Sequence, residues 1–344
     1  MRSIFDVSPK ELEEYFVSKG LKSYRATQVF EAIYRQKVKS FDDISNIKKI
    51  VIEDLKNDFT LNTFEVVVHQ KSKDGTEKFL FRLEDGNLIE TVFMTHNYGT
   101  SVCVTSEVGC NMSCAFCASG MRKKKRNLTA GEMVGQIMSV IHETGREVSH
   151  IVVMGIGEPF DNYDNVMRFL HIVNNAHGLE IGARHISVST CGLVPKIYDY
   201  AGEDLQSNLA ISLHAPNNEI RDQIMPINKA YRIEELVKAI SDYIDATNRR
   251  VTIEYILINE LNDSVKCANE LADLLHGLNV YINLIPYNEV KEKPFKRSTK
   301  ERMTKFYDQL KKRSLNVTLR LEQGGDIDAA CGQLRSNNIK KEIM

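Results

Sequence analysis

Apolar and polar positions repeat with a helical period at the start of this 344-residue chain, then change period twice. In "SPKELEEYF", Ser8 serves as N-cap, Pro9 as the first helical residue and Glu11 as the reciprocal partner of a capping box. Leu12, Tyr15 and Phe16 share one apolar face before Gly20 ends the helix. The same spacing predicts helices over 26–36 and 46–59. The period then drops to two. Phe64, Val66 and Val68 alternate with polar residues, as do Phe79, Phe81 and Leu83, then Leu88, Glu90 and Val92, with Asp74-Gly75 and Asp85-Gly86 as hairpin turns.

Beyond Val102, strand-like runs ("VCVTS", "HIVVMGIG", "HISVST", "LAISLHA", "VTIEYILI", "YINLIPYN", "VTLRLEQ") alternate with helical spacing, for example over 233–245, 265–278 and 300–313. Repeated strand–helix units make parallel strands with crossover helices, in an open sheet or a full or partial barrel. Chemistry in such folds gathers at the carboxyl ends of the strands, where this chain carries its unusual polar residues.

A net charge of −1 argues against a wholly basic nucleic-acid binder but leaves room for a local basic patch. No apolar run reaches the roughly 18 residues of a membrane span, and "MRSIFDVSPKELEEYF" lacks a signal peptide's apolar core, so a cytoplasmic address is expected. In a reducing compartment, seven cysteines read as metal ligands, catalytic thiols or core residues rather than structural disulfides.

"VGCNMSCAFCASG" sets Cys110, Cys114 and Cys117 in a C-x3-C-x2-C cluster. Zinc usually takes four Cys/His ligands in two pairs, and no second pair stands at a suitable spacing. An iron–sulfur cluster held by three thiolates, with one iron left for a non-protein ligand, fits better. In "MGIGEPFDN", Gly155 and Gly157 allow close backbone approach and Glu158 can accept from an ammonium group. Ser189, Ser212, His214 and Asn288 fall at further strand ends. Glu90 alternates with apolar neighbours, and a buried carboxylate there is costly unless paired or functional. The runs "RKKKR" (122–126) and "KEKPFKR" (291–297) follow two of these ends and suggest phosphate contacts at one rim. Cys191 and Cys267 are expected to be packing residues.

The cysteine spacing after the first strand of the array resembles the radical S-adenosylmethionine superfamily. Longer motifs narrow the resemblance to the RlmN/Cfr family of RNA adenosine methyltransferases: "ETVFM", "CVTSEVGCNMSCAFCASG", "GIGEPFDNYDNV", "ISLHAPNNEIRDQIMPIN", "NLIPYN" and "DIDAACGQLR". The resemblance implies a partial (β/α) radical SAM barrel. It divides the chain into a helical accessory RNA-binding domain over 1–60, a β-meander extension over 61–95 and a core over 96–344 with a C-terminal methyl-carrying cysteine.

By the same resemblance, Cys110, Cys114 and Cys117 hold a 4Fe-4S cluster, and Gly157, Glu158, Ser189, Ser212, Leu213, His214 and Asn288 contact S-adenosylmethionine. Cys331 is the thiol that becomes methylated, Cys103 its resolving partner and Glu90 the acid/base carboxylate. The implied product is 2-methyladenosine in 23S rRNA near the peptidyl transferase centre and in a tRNA anticodon loop. A monomer supplied with electrons by flavodoxin or ferredoxin is implied, with a transient disulfide in each cycle. Carbon 8 methylation, as in the Cfr branch, is the alternative; Pro159 and Pro286 favour carbon 2. A non-catalytic iron–sulfur RNA binder would have no need of the Cys103/Cys331 pair, and an activase that works through a glycyl radical would have no use for "DAACGQL".

Overall fold

The computed structural model describes residues 1–320 and 323–334. Leu321 and Glu322 of the "VTLRLEQ" run, Arg335 of "DIDAACGQLR" and the end of the expected core lie outside the described residues. At the N-terminus, strand β1 (Arg2–Ser3) precedes helices α1 (Pro9–Ser18), α2 (Tyr24–Tyr34) and α3 (Lys49–Asp58), and strand β2 (Phe59–Thr60) returns parallel to β1. The capping box of α1 forms as expected: Ser8 Oγ accepts from the Glu11 amide, and Glu11 accepts from the Ser8 amide. Leu12 and Phe16 are buried, while Tyr15 reaches Asp58 with its hydroxyl at 2.9 Å.

Next come β3 (Glu65–Lys71), β4 (Glu77–Arg82), β5 (Leu88–His96) and β6 (Gly99–Cys103), each antiparallel to the one before, with hairpin turns at Asp74-Gly75 and Asp85-Gly86. The short pair β7 (Glu107–Val108) and β8 (Arg126–Asn127) brackets the cysteine loop. Then follow α4 (Ala130–Thr144), β9 (His150–Val153), α5 (Tyr163–Asn174), β10 (Ile186–Thr190), α6 (Val194–Ala201), β11 (Asn208–Ser212), α7 (Asn218–Ile224), α8 (Ile233–Thr247), β12 (Val251–Leu257), α9 (Val265–Leu274), β13 (Val280–Pro286), α10 (Lys300–Lys312) and β14 (Val317–Leu319).

The meander does not stand apart. One ten-stranded sheet runs β3-β4-β5-β6-β9-β10-β11-β12-β13-β14, antiparallel as far as β6 and parallel beyond it. Each parallel strand lies beside its predecessor, the winding of a barrel rather than of a sheet wound both ways. This is the partial radical SAM barrel the motifs implied. A large apolar core fills it and continues into the helical segment through Phe5, Phe16, Phe30 and Leu55. Two smaller apolar clusters lie at the functional end: one under the cysteine loop (Phe116, Ile224, Met225, Ile256, Tyr287), the other joining Val92, Met94 and Cys103 to Ala329 and Leu334 of the C-terminal segment. Among the described residues, no helix is long and apolar enough to cross a membrane.

Candidate active site

The chain leaves β7 through Gly109, whose φ of +83° and whose Cβ position, 2.4 Å from the Lys123 carbonyl oxygen, exclude other residues. The loop is pinned by the Cys110 amide on the Arg122 carbonyl (2.9 Å) and the Ala115 amide on the Ile224 carbonyl (2.8 Å). It turns Cys110, Cys114 and Cys117 toward one cavity of about 900 Å³. Burial pushes the Cys110 thiol up to about 12 and the Cys114 thiol up as well, and the neighbouring thiols add to the shift. Positive charge is therefore needed to hold them as thiolates at neutral pH.

One positive group is built in. Arg221 of α7 is fully buried and donates to the Cys191 carbonyl (2.7 Å), Asn228 Oδ1 (3.1 Å) and the Leu213 carbonyl (3.2 Å), and its charge favours the Cys114 thiolate. Among the described residues, no three His, Cys, Asp or Glu side chains are arranged to hold a metal ion. In a multi-iron cluster each thiolate takes a different iron, so its ligands need not converge on one point. Three thiols on one wall, backed by a buried guanidinium, fit such an anionic cluster.

The opposite wall is made of strand ends. Gly157 follows β9 with φ +111°, and a Cβ there would stand 2.6 Å from Glu107 Cγ, so glycine lets the backbone pass close under the cavity. Glu158 is buried and accepts the Cys191 amide (2.8 Å) and the Phe160 amide (3.0 Å). Burial raises its pKa, and these hydrogen bonds oppose the rise. Ser189 and Ser212, at the ends of β10 and β11, stand with their hydroxyls 3.4 Å apart. His214, with φ +57°, accepts the Ile256 amide on Nδ1 (3.1 Å), which leaves the proton on Nε2. Burial and Arg221 lower its pKa to about 3, so the ring is neutral.

Gly157, Glu158, Ser189, Ser212 and His214 all line the cavity of the three cysteines. Leu213 is fully buried beside them, and its carbonyl is held by Arg221. Asn288 stands elsewhere: it lines a second cavity, and its amide donates to the Cys331 carbonyl at 3.1 Å.

That second cavity, about 750 Å³, is lined by Val92, Met94, Cys103, Asn288 and Cys331. Cys103 ends β6, in register with Val92 of β5 and Val152 of β9. Burial pushes its thiol up to about 12. Cys331 rides on a C-terminal strap that crosses the strand ends, fixed by the Ala118 amide on the Gly332 carbonyl (2.8 Å) and Ser119 Oγ on the Leu334 carbonyl (2.9 Å). Cys331, Cys117, Ser119, Met154, Ile285 and Arg320 line both cavities. Glu90 is buried on β5, on the face shared with Val92 and Met94, and the Lys78 ammonium lies 3.5 Å away.

Cys191 packs as expected, in the apolar cluster under the cysteine loop, and it also lines the three-cysteine cavity while its backbone joins Glu158 to Arg221. Cys267 does pack within α9, under its Ser264 cap. The run 122–126 is not simply a phosphate-facing rim. Lys124 turns inward between Glu107 (2.7 Å) and Asp161 (2.8 Å), and Arg126 pairs with Asp85 and Glu132 at 2.7 Å each, leaving Arg122, Lys123 and Lys125 exposed. Buried acidic partners capture cations that the sequence places beside exposed ones. Reading by motif also missed Lys78, Glu107, Arg221 and Arg320. Lys78 falls on the polar phase of the Phe79–Phe81–Leu83 alternation, so its burial left no local signal.

The model of the ribosomal RNA large subunit methyltransferase N-terminal domain matches residues 3–61, and that of the radical SAM superfamily matches residues 106–275. A probable dual-specificity RNA methyltransferase RlmN of Acholeplasma laidlawii is 56% identical over 336 residues, covering 98% of this chain and 99% of its own. The chain belongs to the RlmN family. A Listeria welshimeri protein of the same description is 58% identical over 347 residues, covering 98% and 95%. The crystal structure of a radical SAM methyltransferase from Sphaerobacter thermophilus superposes with a TM-score of 0.93 at 44% identity, covering 98% of this chain and all of that one. RlmN membership brings radical SAM methyltransferase activity, with a 4Fe-4S cluster and S-adenosylmethionine in its use.

Proposed function

We propose that this RlmN-family chain methylates carbon 2 of an adenosine in 23S rRNA and of an anticodon-loop adenosine in tRNA, with Cys331 as methyl carrier. The observation that carries the reading is the position of Cys331, which borders both the cavity of the three cysteines and the cavity of Cys103. Adenine carbon 2 is electron-poor and has no acidic proton, so simple displacement by a methyl donor does not serve it. When bound, the cluster and S-adenosylmethionine supply the electron, the methyl group and the hydrogen abstraction that this carbon requires.

Cys110, Cys114 and Cys117 would hold the cluster, with Arg221 offsetting its negative charge. Glu158, Ser189, Ser212, the Leu213 backbone and the neutral His214 would orient the methionine and nucleoside parts of the donor, and Asn288 holds the strap at Cys331. The Cys331 sulfur takes the methyl group and, through it, bonds to the adenine ring. Glu90 accepts the ring proton as the adduct gives up one electron, for which the oxidised cluster would be the acceptor. Cys103 sulfur then bonds to Cys331 sulfur. The electron pair of the broken S–C bond leaves with the methylene carbon, which takes up a proton and becomes the methyl group of the product. External thiols reduce the disulfide for the next cycle. Burial of Cys103 keeps it protonated beforehand and so out of reaction with the methyl donor.

A cytoplasmic monomer fed by flavodoxin or ferredoxin, with the N-terminal helices and the exposed Arg122, Lys123 and Lys125 on RNA phosphates, completes the proposal. Mass spectrometry of adenosines from rRNA and tRNA after anaerobic incubation with donor and reductant tests it. 2-Methyladenosine is the expected product; 8-methyladenosine would overturn the branch, and unmodified RNA the whole reading.

A further inference from the structure

Lys78 has no part in the chemistry described above, yet it is buried where a lysine is expensive. Its side chain is 5% exposed and faces a Glu90 side chain that is 4% exposed. Burying an ammonium is tolerated only where fixed acceptors replace water. Two acceptors are present. Nζ lies 3.5 Å from Glu90 Oε1 and donates to the Asp328 carbonyl at 3.3 Å. Asp328 is three residues before Cys331.

The strand register explains how one side chain reaches both. Lys78 on β4 is opposite Val92 on β5, and Glu90 is opposite Leu80, so Lys78 and Glu90 are diagonal neighbours on the face that the strap covers. Val92 is itself opposite Cys103. Further ties hold the strap elsewhere: the Gly324 amide on Asp74 (2.8 Å) and Ser72 on Asp326 (2.5 Å) at the β3–β4 hairpin, Ala329 packed beside Val92, Met94 and Cys103, Asn288 on the Cys331 carbonyl (3.1 Å), and Gly332 and Leu334 at the cysteine loop. Lys78 grips the middle, from below.

We infer that Lys78 is a positioning residue that ties the Cys331 strap to the Glu90 carboxylate, so that seating the methyl-carrying thiol and aligning the proton acceptor are one event. The inference rests on the roles proposed above for Cys331 and Glu90. With the strap seated, Cys331 is held at the boundary of the two cavities. Without the tie, the strap keeps its end contacts, the Asn288 bond to the Cys331 carbonyl and the packing of Ala329 and Leu334, but loses its charged anchor to β4, and Cys331 is held less firmly.

The test uses the full chain with its cluster reconstituted, purified without S-adenosylmethionine, as Lys78→Met, Lys78→Arg, Glu90→Gln and the double variant Lys78→Met/Glu90→Gln. The alkylation rate of Cys331 by iodoacetamide is followed by mass spectrometry. Loss of a charge-assisted hydrogen bond should raise that rate about tenfold or more in Lys78→Met, and equally in the double variant. Glu90→Gln should stay within about twofold of the parent, because the Asp328 tie survives, and Lys78→Arg should restore most of the protection. The double variant removes both buried charges together, so it reports on the tie even where Lys78→Met folds poorly. In RNA methylation, Lys78→Met should lower kcat with KM for RNA unchanged. Parent-like alkylation of Cys331 in both the single and the double variant would overturn the inference. RNA methylation surviving in a Cys331→Ala variant would instead overturn the proposed function, and leaves the alkylation result standing by itself.

Discussion

Glu107 is fully buried between Lys124, 2.7 Å from its Oε1, and the Glu158 amide, which donates to its Oε2 at 3.0 Å. Burial is the largest influence and lifts its pKa from an ordinary 4.5 to about 7, against the pull of Lys124 and the amide. The fold therefore favours the protonated form. Between these two values the folded chain keeps a proton that the unfolded chain has released, so the group's stabilising contribution is complete below 4.5 and is lost as pH rises through 7.

Glu107→Gln has nearly the same shape, still accepts the Glu158 amide and does not titrate, and Lys124 retains Asp161 at 2.8 Å. Each tenfold change in protonation is worth about 1.4 kcal/mol, so the variant should gain stability over the parent by about 2.5 kcal/mol between about pH 5 and pH 8.5. Urea unfolding of the cluster-free chains at these two pH values measures it. With a urea slope of about 3 kcal/mol per molar, the gap between the two midpoints should widen by about 1 M toward alkaline pH. Other titrating groups cancel in the difference. A gap that is independent of pH, or that narrows as pH rises, refutes the reasoning.

Arg221→Met strands the Cys191 and Leu213 carbonyls and Asn228 Oδ1; unfolding free energy should fall by about 3 kcal/mol, read in urea, with weaker S-adenosylmethionine binding in a titration. Cys103→Ala should stall the cycle with RNA covalently attached to Cys331, a ribonuclease-sensitive shift on a denaturing gel; free methylated RNA at the parent rate would contradict the resolving role. Gly157→Ala forces a side chain into φ +111° with its Cβ 2.6 Å from Glu107 Cγ, and should cost about 2 kcal/mol in thermal or urea unfolding; an unchanged midpoint would remove the case for close backbone approach there.

Local patterning carried the fold a long way. The capping box at Ser8, the two Asp-Gly hairpins and the alternating strands and helices all appear where their spacing put them. Such features depend on neighbours in the chain, and their energetics are settled within a few residues. The short parallel pairing of β1 with β2 was not foreseen, because its partners stand 57 residues apart, Arg2 against Phe59. At the site, the motif residues Cys110, Cys114 and Cys117 and the strand-end residues Glu158, Ser189, Ser212 and His214 were singled out by local spacing, and the fold brings them to one cavity. Lys124 was half misread, since its role comes from partners on other elements, Glu107 and Asp161; for Cys191, packing was legible but not the backbone link it makes between Glu158 and Arg221.

By itself, the order of residues determined the elements and the family and marked out the candidate thiols, because periodicity and motif spacing are properties of contiguous chain. Tertiary structure decided that the meander joins the barrel sheet, that Cys331 comes to the boundary between two cavities, and which charges are buried together beneath it. Those outcomes depend on the cost of desolvating a charge and on the fixed partners that offset it, and both exist only once distant segments have packed.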